Sequence, residues 1–221
     1  MAHDLEIREL TLTTTDGVSL EAQARLPSLD AGGVPPVGAA RVVLAHPHPL
    51  QGGNMSSLVI SELFRILPGH GLAVLRFNFR GVDGSGGEHG YGRDEGADVT
   101  AAIDSIVDLA PQGPLVLCGW SFGADVSLSV TDARIDGWAA VAPPLGVLPL
   151  DDLSVAAGVD ARPKLLLVPE HDQFRPPAAA REATATWTNT TIEVVNGGDH
   201  FLAGRTEKVA DLVAAFAASL P

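Results

Sequence analysis

Hydrophobic and polar residues alternate with a period of two in "LEIRELTLTT" and again in "VSLEAQARLP", on either side of Asp16-Gly17. That period marks strands with one buried face, and Asp-Gly between them is a turn signal, so the first 27 residues predict a β-hairpin. The pattern then changes. "RVVLAH" (41–46) is an unbroken apolar run rich in valine, as a parallel strand buried on both faces requires. "SSLVISELFRILPGHG" returns apolar residues at Leu58, Leu63, Phe64 and Leu67, near helical spacing, and stops at Pro68-Gly69. The two patterns alternate to the end. Strands are predicted over 72–78, 114–118, 135–143, 164–169 and 191–196. Helices are predicted over 94–110, from Phe122 onward, over 176–188, where two prolines suit the first turn, and over 207–220. Residues 28–40 and 79–93 read as loops dense in Gly and Pro or in Gly.

Strands alternating with helices predict an α/β fold: a mostly parallel sheet of about eight strands, helices on both faces and the hairpin at one edge. Residues 1–221 read as one domain. The irregular stretch 144–162, about 20 residues long, is a loop or small helical excursion, too short for a separate cap.

Composition narrows the function classes. The chain has 221 residues, 46% of them hydrophobic and 19% charged, which suits a globular protein with a sizeable core. A net charge of −13 disfavours nucleic acid and anionic membrane surfaces as partners. No apolar run approaches the ~18 residues of a membrane span, so no membrane insertion is expected. "MAHDLEIREL" lacks the pattern of a signal peptide, and a cytoplasmic location is the expectation. The lone cysteine, Cys118, allows no intramolecular disulfide and reads as a small buried hydrophobe.

In open α/β sheets ligands gather beyond the carboxyl ends of the strands, so the residues after each strand matter most. "GWSFG" (119–123) follows one strand with the pattern G-x-S-x-G. "EHDQF", with His171 and Asp172, follows another, and "GGDHF", with His200, follows the last. A serine, an acid and a histidine thus appear in the chain order Ser121, Asp172, His200, each just past a strand. The residue types fit one chemistry. A serine hydroxyl is a poor nucleophile until a histidine takes its proton, and the histidine needs a carboxylate to orient it. Asp172 has rivals in Asp199, Asp151 and Asp152. The developing oxyanion needs N–H donors. Phe122, opening the helix after Ser121, is one. The other comes from the loop "HPHPL" (46–50), where Pro47 and Pro49 have none to give, leaving His48 or Leu50.

Other residues read more plainly. His46 is a strand-end histidine bonded to nearby loop backbone, and Arg80 braces its loop through backbone carbonyls. Trp120 packs beneath the turn, and Phe122 is core or pocket wall. Tyr91 and Phe174 could wall the pocket or simply pack. His46, His48, His171 and Asp172 match no recognised metal-ligand spacing. The glycines of 81–92 lack the G-K-[ST] ending of a phosphate loop. Loops 81–93 and 144–162 are expected to shape the pocket.

Gly119-Trp120-Ser121-Phe122-Gly123, with Asp172, His200 and the His46–Pro49 loop, resembles the α/β-hydrolase superfamily, in particular its small capless members such as dienelactone hydrolase-like serine esterases. "HPHPLQGGNM", "LRFNFRGVDGSGGEH" and "GWSFGA" extend the resemblance over nearly the whole chain. It implies Ser121 as nucleophile, His200 as base and Asp172 as its partner. It also implies a carboxylesterase acting on small or short-chain esters through an acyl-enzyme, without cofactor or metal. Many relatives have His-Gly where this chain has His-Pro-His-Pro. A thioesterase or acyltransferase, a C–C hydrolase or peptidase on the same three residues, and a non-catalytic binding relative are the alternatives.

Overall fold

A computed structural model of the chain describes residues 6–27 and 39–221. The loop expected over 28–40 therefore falls, but for its last two residues, outside the described residues. Strands β1 (Arg8–Thr13) and β2 (Ser19–Arg25) form the expected antiparallel hairpin, with Thr13 opposite Ser19. The reversal takes five residues, in which Thr14 and Val18 close the loop and Gly17 adopts φ 84°. β3 (Arg41–Ala45), β4 (Ala73–Phe77), β5 (Leu115–Trp120), β6 (Gly137–Val141), β7 (Lys164–Pro169) and β8 (Thr190–Val195) complete one eight-stranded sheet in the order β1-β2-β4-β3-β5-β6-β7-β8. β2 meets β4 antiparallel, and every pairing from β4 through β8 is parallel.

The helices are α1 (Leu58–Ile66), α2 (Glu95–Leu109), α3 (Phe122–Ser129), α4 (Leu150–Leu153), α5 (Pro177–Ala183) and α6 (Thr206–Ala218). Stretch 144–162 proves to be α4 run on by a π turn over Ser154–Gly158. No helix among the described residues is long and apolar enough to cross a membrane.

The unbroken apolar runs explain the layering. Side chains on a strand point alternately to its two faces. Val42, Leu44, Val74, Val116, Cys118 and Leu167 pack with Val59, Leu63 and Phe64 of α1 and Val209 and Val213 of α6. Val43, Ala45, Leu75, Leu117, Ala140 and Leu166 pack with Val99, Ile103 and Ile106 of α2 and Phe122, Val126 and Leu128 of α3. Burial also pushes the Cys118 thiol up to about 12, so it stays protonated and inert. The chain leaves β3 toward α1 on one face and leaves the neighbouring β5 toward α3 on the other. A crevice opens where the two connections part, at the carboxyl ends of the strands.

Candidate active site

β5 ends in a turn that the glycines at 119 and 123 permit. A Cβ on Gly119 would run into the carbonyl of Gly123, and one on Gly123 into the carbonyl of Ala45. With neither present, helix α3 starts directly above the strand. Ser121 sits at the apex with φ 56° and ψ −117°, a strained conformation for a residue with a Cβ. It is held by its N–H on the Val141 carbonyl (2.9 Å) and by its own carbonyl, which accepts from Ala124 N–H (2.9 Å). Every residue of α3 from Phe122 to Leu128 is buried, which gives the turn a rigid base.

Asp172 follows β7 and His200 follows β8, and both side chains converge on that apex. His200 Nε2 lies 2.9 Å from Ser121 Oγ, and His200 Nδ1 lies 2.8 Å from Asp172 Oδ2. Asp172 and His200 are buried. The second carboxylate oxygen of Asp172 accepts from the N–H groups of Phe174 (2.8 Å) and Arg175 (3.1 Å), which fixes the carboxylate plane. With Asp172 accepting from Nδ1–H, Nε2 presents its lone pair to the serine hydroxyl. The structure thus brings Ser121, Asp172 and His200 into one contiguous chain of hydrogen bonds. Asp199 is elsewhere engaged, accepting from Phe201 and Leu202 N–H, and Asp151 and Asp152 lie exposed on α4. His171 is exposed beside Glu170.

The loop after β3 forms the opposite wall. Leu50 N–H donates to His48 Nδ1 (3.2 Å) and the Leu50 side chain points to solvent, 65% exposed. Leu50 is therefore not free to donate into the crevice, because the short 3-10 turn over Pro49–Gln51 folds its amide onto the ring two residues back. His48 lines the crevice. Its ring rests on Phe122 (5.1 Å between centroids) and on His89 (5.2 Å). Burial and the His89 imidazole hold the His48 pKa below the ordinary value. Phe122, first residue of α3, carries one of the N–H groups that a helix start leaves without an intrahelical partner.

Several neighbours differ from the sequence reading or add to it. His46 accepts from Phe79 N–H through Nε2 (3.0 Å) and meets the Pro47 carbonyl through Nδ1 (2.7 Å), and burial holds it neutral with a pKa down to about 4. Arg80 braces its loop, but through carboxylates rather than carbonyls: Asp98 (2.7 Å) and Asp16 (2.9 Å). Trp120 is buried and does more than pack, donating from Nε1 to the His200 carbonyl (3.1 Å). Phe122 is both core and wall. Tyr91 is 71% exposed and leans on His89, away from the crevice. Among the described residues no three His, Cys, Asp or Glu side chains gather as metal ligands would.

The crevice is a cavity of about 370 Å³, lined by Ser121 and His200, by His48, Gln51 and Gly53 on one side, and by Val147, Phe174 and Phe201 on the other. Loop 144–162 supplies Pro144, Gly146 and Val147 to it. Loop 81–93 supplies no lining residue and acts at one remove, through His89 against His48.

Two residues absent from the sequence reading hold this wall. Asp125, buried on α3, accepts N–H groups from Leu145 (3.0 Å), Gly146 (2.8 Å) and Val147 (2.9 Å). Arg175 donates to the carbonyls of Pro144 (2.8 Å) and Leu145 (3.0 Å). A carboxylate four residues after Ser121 in the apolar run "FGADVSL" was the available signal for Asp125. Nothing local marked Arg175.

Fold and site together define the class: an α/β serine hydrolase. Residues 39–153 match the family model for serine aminopeptidase, S33, and the chain belongs to that family, within the α/β-hydrolase superfamily. An uncharacterised protein of Rickettsia prowazekii is 32% identical over 176 residues, spanning 75% of this chain and 73% of its own. Among solved structures, an α/β serine hydrolase without a lid from Xanthomonas campestris superposes with a TM-score of 0.80 at 28% identity, covering 96% of this chain and 93% of that one. An α/β serine hydrolase homologue from Coxiella burnetii superposes with a TM-score of 0.79 at 26% identity, covering 95% of this chain and 96% of that one.

Proposed function

We propose that this serine hydrolase is a carboxylesterase of small, neutral esters, working through a Ser121–His200–Asp172 triad. The observation that carries the reading is the relay from Ser121 Oγ through His200 to Asp172, at 2.9 and 2.8 Å. Ser121 attacks the ester carbonyl as His200 Nε2 takes its proton, and the Asp172 carboxylate supports the imidazolium that forms. The oxyanion is met by the N–H groups of Phe122 and His48, since Leu50 spends its own on the His48 ring. His200 then returns the proton to the leaving alcohol. Water, activated by the same imidazole, cleaves the acyl-enzyme. Every step is carried by protein groups, with no cofactor or metal invoked.

The lining supports esters over the alternatives. An aminopeptidase must hold a free ammonium group with an anion, and among the described lining residues only uncharged and imidazole side chains face the cavity. The same lining offers no Lys or Arg to the phosphates of an acyl-CoA. A volume of about 370 Å³ suits a short acyl chain.

The test is a turnover panel of p-nitrophenyl acetate, butyrate and laurate, acetyl-CoA and an alanine p-nitroanilide, with wild type and Ser121→Ala. The expected result is turnover of the acetate and butyrate at least about 10³-fold above Ser121→Ala, with little on the other three. Preferential cleavage of the anilide would assign the site to peptides, and turnover equal in the two proteins would refute the triad.

A further inference from the structure

The imidazole of His200 stands among aromatic rings. Phe174 lies 4.4 Å from it between centroids, Phe201 meets it edge-on at 5.8 Å and 89°, and Trp120 lies behind at 6.4 Å. Trp120 is buried, but Phe174 and Phe201 are 54% and 53% exposed at the mouth of the cavity that holds Ser121. Their backbones are tied down. Phe174 N–H donates to Asp172 Oδ1 (2.8 Å) and Phe201 N–H to Asp199 Oδ1 (3.0 Å). Two anchored phenylalanines thus present exposed ring surface beside the His200 imidazole.

Which part of a substrate they meet follows from the proton's path. The base that takes the hydroxyl proton of Ser121 must return it to the departing oxygen, so that oxygen comes within hydrogen-bond reach of His200 Nε2. Groups packed around His200 therefore border the alcohol half of an ester. The acyl half lies toward the oxyanion donors, beside His48, Gln51 and Gly53. We propose that Phe174 and Phe201 form a leaving-group subsite for a neutral aromatic alcohol, which makes them specificity-determining residues of this enzyme. The inference rests on the esterase reading above. Aromatic rather than merely apolar recognition follows because ring pairs gain attraction beyond the area they bury when they stack offset or edge-to-face, as Phe201 already does with His200. Neutrality follows from a lining without Lys, Arg, Asp or Glu among its described residues.

The test compares kcat/KM for benzyl acetate and cyclohexylmethyl acetate, which differ chiefly in ring planarity and π-character, within each protein, so that general losses cancel in the ratio. Wild type should favour the benzyl ester by roughly 3- to 10-fold. Phe174→Leu and Phe201→Leu should bring the ratio to about one, and Phe174→Tyr should keep it. Should a leucine variant lose activity altogether, the binding of benzyl alcohol against cyclohexylmethanol to that variant and to wild type replaces the rate ratio: preference for the aromatic alcohol in wild type only supports the subsite, and equal preference in both overturns it. The reversed esters, ethyl benzoate and ethyl cyclohexanecarboxylate, locate the subsite: loss of discrimination there instead would move the phenylalanines to the acyl side and overturn the proposal. A wild-type ratio near one, with ethyl acetate still turned over, overturns the subsite alone. Turnover of no ester overturns both readings.

Discussion

Ser121 holds φ 56° and ψ −117° because Gly119 and Gly123 let a helix start where any side chain would collide with backbone. Such strain costs of order 1–3 kcal/mol and persists only where the surroundings over-determine it. Here the Val141 and Ala124 hydrogen bonds and a wholly buried helix do so. In the proposed relay Asp172 is the residue on which the chemistry depends most finely, because its hydrogen bond to His200 Nδ1 sets which imidazole nitrogen faces Ser121. Asp172→Asn can donate to Nδ1 and so favours the wrong tautomer while preserving shape. The expected outcome is a kcat on p-nitrophenyl acetate lower by about 10³–10⁴, with KM and thermal midpoint little changed. A marked rise in KM together with a fall in thermal midpoint would assign Asp172 a structural part instead.

At the scale of elements, three connections lock one another. Asp125 of α3 holds the N–H groups of 145–147, Arg175 after β7 holds the carbonyls of 144 and 145, and Arg175 N–H also reaches Asp172. The wall of the cavity is thereby tied both to α3, which follows Ser121, and to the loop that carries Asp172. Burial pushes Asp125 up to about 6, against the pull of its three N–H partners and of Arg175. The folded state therefore keeps a proton there between about pH 4 and 6 that the unfolded chain has released, and stability falls as pH rises through that window. His46, held down to about 4 by burial, works in the opposite sense, because the unfolded chain binds the extra proton and stability rises over about pH 4–6.5. Asp125→Asn removes the first slope and leaves the second. Urea midpoints between pH 4 and 6 should therefore climb more steeply with pH in the variant, by up to about 1.4 kcal/mol per pH unit. Equal slopes in the two proteins would show that Asp125 stays ionised throughout. This bracing was not legible in the sequence. Apolar runs announce strands through composition alone, and G-x-S-x-G announces its turn through sterics. A carboxylate's partners 20 residues away leave no local pattern. That the Leu50 amide lies on the His48 ring was closed to sequence for a related reason: one side chain captures an amide in a turn whose shape the residues alone do not dictate.

Across the whole molecule, the sheet divides the core into two layers and carries Ser121, Asp172 and His200 on one rim. That architecture was legible because β3, β4, β5 and β7, buried at every position, are apolar runs interrupted only by Arg41, Arg76 and Lys164, as double-sided burial demands. What joins distant parts was not. Arg80, buried, binds Asp98 of α2 and, 64 residues away, Asp16 in the hairpin turn, so one guanidinium clamps the antiparallel edge to the helical layer. Arg80→Met would strand the buried Asp98 charge and should cost about 3–5 kcal/mol, read as a lower urea midpoint at unchanged slope. A loss below about 1 kcal/mol would mean the clamp is dispensable. The central claim, that this fold makes Ser121 a nucleophile, is tested most directly by the intact mass of the protein after exposure to a fluorophosphonate. The account predicts one adduct per chain in wild type, located on Ser121, and none in Ser121→Ala. An unlabelled wild type, or equal labelling of the alanine variant, would contradict it.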